Sequence, residues 1–340
     1  METIVDDIGS FPLVATVGRE TYNKAYRLAC EALTNGKDIS KDDFMRKNFY
    51  DVTINSFKRK IETGLDVINT PWHYDGIRQV SDAVHKAMEK GTFVVDEKDA
   101  FFPEVRVIEG QAKSLSEEFG KKIMLRVCMF GPMEQYLTEI GTTYYSDVLD
   151  GFAETVRRFA KNSIINNKYI ETKAVSIDEP SFGIHNILAA PDVVCKLLEK
   201  AFDFQGAIKQ IHLHSATGVH DLLCVKNLDV LSFEYAASPS NIEAVPKGML
   251  QKADKQIRVG ISRTDIDTIW AELAEQGISK PSNEQLVDSE DTIKKRFSVA
   301  KEKYGETMTF TGPDCGLGGW PCQDAAQLLL ERTVKAVKGA

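Results

Sequence analysis

The sequence predicts an α/β protein folded as a (β/α)8 TIM barrel, and three observations carry that prediction. Eight apolar, β-branched runs recur along a chain of 340 residues. Longer stretches with helical periodicity lie between them, the alternation expected of parallel strands joined by crossover helices. Polar and metal-ligating side chains stand at the carboxyl ends of several runs, where barrels gather their reactive groups. An open doubly wound sheet is the other architecture with this alternation.

The elements follow in order. A first strand is predicted over residues 4–9, a helix over 41–63 and a second strand over 65–69. A helical pattern over 77–90 leads to a stretch that fits neither period. There, Phe93-Val94-Val95 and Val105-Arg106-Val107 flank charged and aromatic residues, so 92–107 is predicted as a hairpin-like insertion after strand 2, a flap over the site. Further strands are predicted over 123–130, 174–178, 208–214, 230–234, 257–261 and 308–311. Several are continuously apolar, as strands covered on both faces are. Helices over 145–167, 191–202, 264–275, 291–304 and 324–338 complete the pattern. No linker, repeat or low-complexity tract divides the chain, so residues 1–340 are expected to form a single catalytic domain.

Composition narrows the function. A hydrophobic fraction of 43% and a charged fraction of 27% match a globular chain with a large core. The net charge is −8 and no Lys/Arg block stands out, which argues against nucleic acid as a partner. The N-terminus shows no secretory signal, and no apolar run approaches the roughly 20 residues that span a bilayer. No membrane association and a cytoplasmic location are expected. The six cysteines lie at 30, 128, 195, 224, 315 and 322 without framework spacing, so reduced thiols or metal ligands are expected rather than disulfides.

The chemistry concentrates in a few positions. In His212-Leu213-His214, the period of a strand puts both imidazoles on one face. Glu234 closes the run Val230-Leu231-Ser232-Phe233, and Cys315 sits in Gly312-Pro313-Asp314-Cys315-Gly316. Two imidazoles, a carboxylate and a thiolate make a tetrahedral Zn2+ site. The plainer readings are hydrogen-bonded barrel histidines, a carboxylate paired with a cation, and a small buried hydrophobe for Cys315. The glycines around Cys315 favour a ligand role, because they let backbone approach closely. Glu179 is read either as a residue behind the ligands or as a solvated loop carboxylate. Asp314 either orients a ligand or caps its own turn.

Five motifs occur in one order: Ile8-Gly9-Ser10-Phe11-Pro12, Ile177-Asp178-Glu179-Pro180, Ile211-His212-Leu213-His214, Phe233-Glu234 and Pro313-Asp314-Cys315-Gly316-Leu317. Over nearly its whole length the chain resembles the C-terminal catalytic barrel of cobalamin-independent methionine synthase, in the short archaeal-type form. The resemblance implies a zinc-dependent methyltransferase that converts a small, homocysteine-like thiol into a thioether. The family's ligands are a His-x-Cys pair, a Glu and a distant Cys. Taking His212 as the family histidine puts His214 in the place of that cysteine and keeps four ligands. Taking His214 instead puts Ala216 there and leaves the site one ligand short. The first register is preferred, and the second stays open.

The resemblance also implies roles for the pocket. Asp178 would hold the substrate ammonium, a charge-assisted contact and the catalytic assignment made here. Ser10 and neighbouring amides would receive its carboxylate. A second acidic contact is expected after strand 2, where this chain reads Pro71-Trp72-His73-Tyr74-Asp75 and offers no glutamate. Either Asp75 substitutes, or Trp72 and His73 wall a differently shaped pocket. Without a basic stretch for polyglutamyl folate, the expected donor is a methyl-corrinoid protein, methylcobalamin or another methyl carrier. A metal-dependent hydrolase, with the ion activating water, and a non-catalytic relative that binds a thiol or a partner protein are the competing functions.

Overall fold

The computed structural model describes residues 2–185, 187 and 189–339. The strands are β1 Ile4–Val5, β2 Ile68–Asn69, β3 Ile123–Phe130, β4 Ile170–Asp178, β5 Ile208–Leu213, β6 Val230–Phe233, β7 Gln256–Ser262 and β8 Met308–Pro313. They pair in parallel in the order β1-β8-β7-β6-β5-β4-β3-β2. The two ends of that order meet through a parallel bridge between Asp6 and Val67. The amides of Asp66 and Val67 donate to the Val5 carbonyl at 2.9 and 3.4 Å. The sheet is therefore closed into a barrel, which joins the two edges an open sheet would leave.

β1 and β2 are only two residues long, shorter than their apolar runs. Side chains replace part of the backbone ladder at this seam. Asp66 Oδ2 accepts from Val5 N, and Asp7 Oδ1 accepts from Asn69 N, both at 2.8 Å. The helices follow from their stripes. Helix Ser146–Asn162 buries Leu149, Phe152, Ala153, Val156, Phe159 and Ala160, the three-and-four spacing of a face turned to the sheet.

Two expectations are corrected. Residues 92–107 form no hairpin: an irregular stretch with a turn at 97–99 runs to residue 102, and helix Pro103–Phe119 then begins with proline in its first turn. Val105 and Val107 alternate like a strand, but Ile108, Ala112 and Leu115 continue the buried stripe with helical spacing. Nor is the stretch a flap over the mouth. It lies on helix Ser146–Asn162, where Val95 N donates to Thr155 Oγ1 at 3.1 Å and Arg158 donates to the Val95 carbonyl at 2.7 Å. The second correction concerns cysteine. Cys195 and Cys224 form a disulfide with Cα atoms 6.1 Å apart, because helix Pro191–Ala201 packs on the turn Val219–Leu222. Among the described residues, no helix is long and apolar enough to cross a membrane.

Candidate metal centre at the barrel mouth

β5 places His212 inside the barrel. His214, one residue past the strand, faces the same way, with ring centroids 5.7 Å apart. Glu234 follows β6 directly, and Cys315 comes two residues after β8. One ligand atom from each of the four side chains lies within 4.8 Å of every other. His214 Nε2 is 3.5 Å from Cys315 Sγ and 3.6 Å from Glu234 Oε1. Zinc bonds of about 2.0–2.3 Å in a tetrahedron imply ligand atoms roughly 3.3–3.8 Å apart.

His212 supplies the clearest sign of fit. It is 1% exposed, and its Nδ1 pairs with Ser232 Oγ at 3.2 Å, while its buried Nε2 has no partner. When Nδ1 donates to the serine oxygen, Nε2 presents a lone pair to the cluster, the arrangement of a metal-binding histidine. Buried polar atoms without partners are rare and call for an explanation.

Electrostatics points the same way. Burial pushes the Glu234 carboxyl up to about 8, with Asp314 and Asp265 adding to the effect. Burial also raises the Cys315 thiol, and Glu234 raises it further. Burial holds His212 far below its ordinary value, reinforced by His214, and lowers His214 despite the pull of Glu134. Four lone-pair donors thus converge where a negative charge is costly. A divalent cation removes that cost, since metal favours the deprotonated ligands. The residues fit zinc.

The backbone around the ligands is tied down by Asn241, which the sequence did not single out, and by Asp314, which it did. Asn241 Nδ2 donates to the carbonyls of His214 and Glu234 at 2.9 and 2.8 Å, and its Oδ1 accepts from Ala216 N at 3.0 Å. Ala216 is buried, with no ligand atom of its own. Asp314 accepts from the amides of Tyr235, Ala236 and Ala237 at 3.0, 3.0 and 2.7 Å. The residue beside Cys315 therefore holds the chain that follows Glu234. Gly260 makes room for it, since a Cβ there would stand 2.6 Å from the Asp314 Cα.

A cavity of about 480 Å³ opens beside the cluster, lined by Ser10, Trp72, Phe130, Asp178 and Gly316 together with His212, His214 and Cys315. A larger one, about 670 Å³, lies between helices Arg19–Thr34 and Gly76–Met88 and touches none of the four ligands. Ser10 is seated on the glycine loop: its Oγ accepts from Gly318 N at 3.1 Å, and its carbonyl accepts from Leu317 N at 2.6 Å. Side chains at 316 or 318 would collide with it. Asp178 accepts from Ser176 Oγ at 2.6 Å. Burial raises its carboxyl to about 7, against the pull of Ser176, Arg126 and Arg258.

The segment after β2 divides. Trp72 is buried at φ 47° and packs against Phe130, with centroids 5.5 Å apart. His73 borders the cavity, but both ring nitrogens are engaged, Nδ1 with the Phe11 carbonyl at 2.9 Å and Nε2 with Ser56 Oγ at 3.0 Å. Burial lowers its pKa to about 3, so it serves as neutral wall. Asp75 also borders the cavity; it is exposed, and its Oδ1 caps helix Gly76–Met88 by accepting from Arg78 N at 3.0 Å. Glu179 points elsewhere: its oxygens accept from Met133 N and Glu134 N at 3.0 and 2.7 Å, capping helix Pro132–Glu139. Arg19, Asn23 and Arg78 also line the cavity. They come from helices outside the motifs, and helix Arg19–Thr34 left no mark strong enough to be predicted.

No protein-family model matches the chain, and no curated protein does. Among solved structures it is similar to a B12-independent methionine synthase from Shewanella sp. W3-18-1, determined in complex with selenomethionine. The identity is 12% and the TM-score 0.58, over 99% of this chain and 97% of that one. It is also similar to a Listeria monocytogenes protein described as a candidate vitamin-B12-independent methionine synthase, at 16% identity and TM-score 0.58, over 100% and 98% of the two chains. The shared feature is the barrel. These two methionine-synthase-like proteins match the chain over nearly its whole length.

Proposed function

We propose that this protein is a zinc-dependent methyltransferase that methylates a small thiol, in the manner of the methionine-synthase-like barrels it resembles. The observation that carries the reading is the convergence of His212, His214, Glu234 and Cys315 within 4.8 Å, beside a cavity that could hold a small molecule. Zinc, when bound, supplies a Lewis acid on which a substrate thiol loses its proton at neutral pH.

The chain's own residues would do the rest. Asp178, with one oxygen held by Ser176, keeps the other free for a substrate ammonium. Ser10 already accepts from Gly318 N, so its hydroxyl proton is free to donate to a carboxylate. Trp72 and Phe130 form an apolar wall that excludes water from the reacting sulfur. Holding sulfur and methyl carbon in line can account for about 7–11 kcal/mol of a barrier. The proposed donor is a methyl-corrinoid or another methyl carrier arriving at the open mouth.

Zinc analysis of the purified protein tests the site, and X-ray absorption at the zinc edge tests the chemistry. Addition of the correct thiol should bring one more sulfur scatterer to the metal. A hydrolase on the same barrel would show no such change. Transfer from methylcobalamin to a panel of thiols, read by thiol loss, then identifies acceptor and donor class together. Failure to retain zinc would overturn the proposal.

A further inference from the structure

Arg258 contributes no ligand atom, yet it contacts the strands that do. It lies on β7, between β6 and β8, with 0% of its surface exposed. Its Nη1 reaches Ser232 Oγ at 3.5 Å, and that oxygen is the partner of His212 Nδ1 at 3.2 Å. Its Nη2 donates to the Pro313 carbonyl at 2.9 Å, two positions before Cys315. Ser232 itself stands two positions before Glu234. The guanidinium is anchored by Asp6, the residue after β1, whose Oδ1 accepts from Nε at 2.7 Å. The other oxygen of Asp6 takes Arg126 from β3.

We propose that Arg258 is a positioning residue for the metal centre. Through Ser232 it orients the His212 ring, and through Pro313 it sets the height of β8, so that the ligand atoms converge before an ion arrives. The inference deepens the zinc reading of the site and rests on it. The physical reason lies in the guanidinium. It is planar and always charged, and it donates in several fixed directions from one plane. Here those directions meet Asp6, β6 and β8 at once. An ammonium at the end of a flexible stem cannot hold the same three acceptors. The Arg258–Ser232 contact is the longest of the set, so Asp6 and Pro313 hold the guanidinium and Ser232 passes its position to the ring. β8 has room for this contact. A Cβ at Gly312 would stand 1.9 Å from the Asp6 carbonyl oxygen and 2.8 Å from Arg258 Nη2, so glycine there leaves space for the Asp6 backbone first and for the guanidinium as well.

The test uses the full chain and measures zinc affinity by competition with a chromophoric chelator. Ligand-field absorption of the cobalt(II)-substituted protein and thermal unfolding of the metal-free protein are recorded alongside. Ser232→Ala and Arg258→Lys should each weaken zinc by about 10–100-fold, the usual effect of removing a group that orients a ligand, and should shift the cobalt bands. Ser232→Thr keeps the hydroxyl and should restore wild-type affinity. A merely structural Arg258 would lower the unfolding temperature of its variant and leave zinc affinity and the cobalt spectrum of the folded protein unchanged. That result, or wild-type affinity and spectrum in Ser232→Ala, overturns the inference. If Arg258→Lys does not fold, Ser232→Ala decides alone. Wild-type protein that takes up no zinc overturns the reading of the site as well, whereas zinc-binding wild type with unaltered variants overturns only the role of Arg258.

Discussion

His214 stands within 3.6 Å of both a thiol and a carboxylate, so its imidazole is the natural centre of the ligand set. His214→Ala should lose most of the bound zinc, and Cys315→Ser should weaken it strongly, both measured by metal analysis after gel filtration. Full zinc retention in His214→Ala would remove His214 from the ligand set and defeat the preferred register. Asp178 can be tested by a contrast between substrates. Asp178→Asn removes the charge that would meet an ammonium, so KM should rise by about 10–100-fold for an amino-acid thiol and little for a thiol without an amine, the scale of a charged hydrogen bond. Equal effects on both would exclude the assignment. His73 shows where residue-level reading stops: its place beside the motif could be read from the sequence, but not the two hydrogen bonds that occupy its ring.

Elements carry a different set of consequences. Helix Pro103–Phe119 buries Glu104 in its first turn, 1% exposed, with one hydrogen bond from Gln79 Nε2 at 3.3 Å. Burial raises that carboxyl from 4.5 to about 8. Between these values the folded protein keeps a proton that the unfolded chain has lost. Stability therefore declines as pH rises through the window, by about 1.4 kcal/mol per pH unit at most. Glu104→Gln should flatten this part of the pH profile in urea titrations and stabilise the protein at pH 8; an unchanged slope would show that another group is responsible. Gly260→Ala should be destabilising by about 1–3 kcal/mol through overpacking against Asp314, and it should also loosen zinc, because Asp314 holds the backbone after Glu234. The misread segment belongs to this scale. Val105-Arg106-Val107 alternates over three residues, too short a window to separate a strand from the opening turn of a helix. The disulfide between Cys195 and Cys224 was invisible for a similar reason: sequence spacing does not reveal which helix packs on which turn.

At the scale of the molecule, the barrel closes around charge as well as apolar side chains. Asp6 lies between Arg126 and Arg258, and Asp7 pairs with Lys60 at 2.5 Å, all of them buried. Breaking a buried pair leaves an uncompensated charge. Asp6→Asn is expected to cost about 3–5 kcal/mol of stability, read as a lower midpoint in chemical denaturation. The same barrel should be stabilised by the proposed ion. An ion that binds only the folded state adds about 2.7 kcal/mol at a hundredfold excess over its dissociation constant, so chelation should lower the thermal midpoint and added zinc should restore it.

Apolar runs with helical patterns between them, and ligating residues at the ends of those runs, were enough to determine a parallel barrel and a candidate metal set. Both follow from local periodicity and residue chemistry. The folded molecule alone decided the rest: the Asp6–Val67 bridge that closes the sheet, the clamps at Asn241 and Asp314, the diversion of Glu179 to a helix cap, and the contacts of Arg258. These depend on which residues become neighbours after distant strands have been brought side by side, and nothing in the order of residues along one strand encodes that.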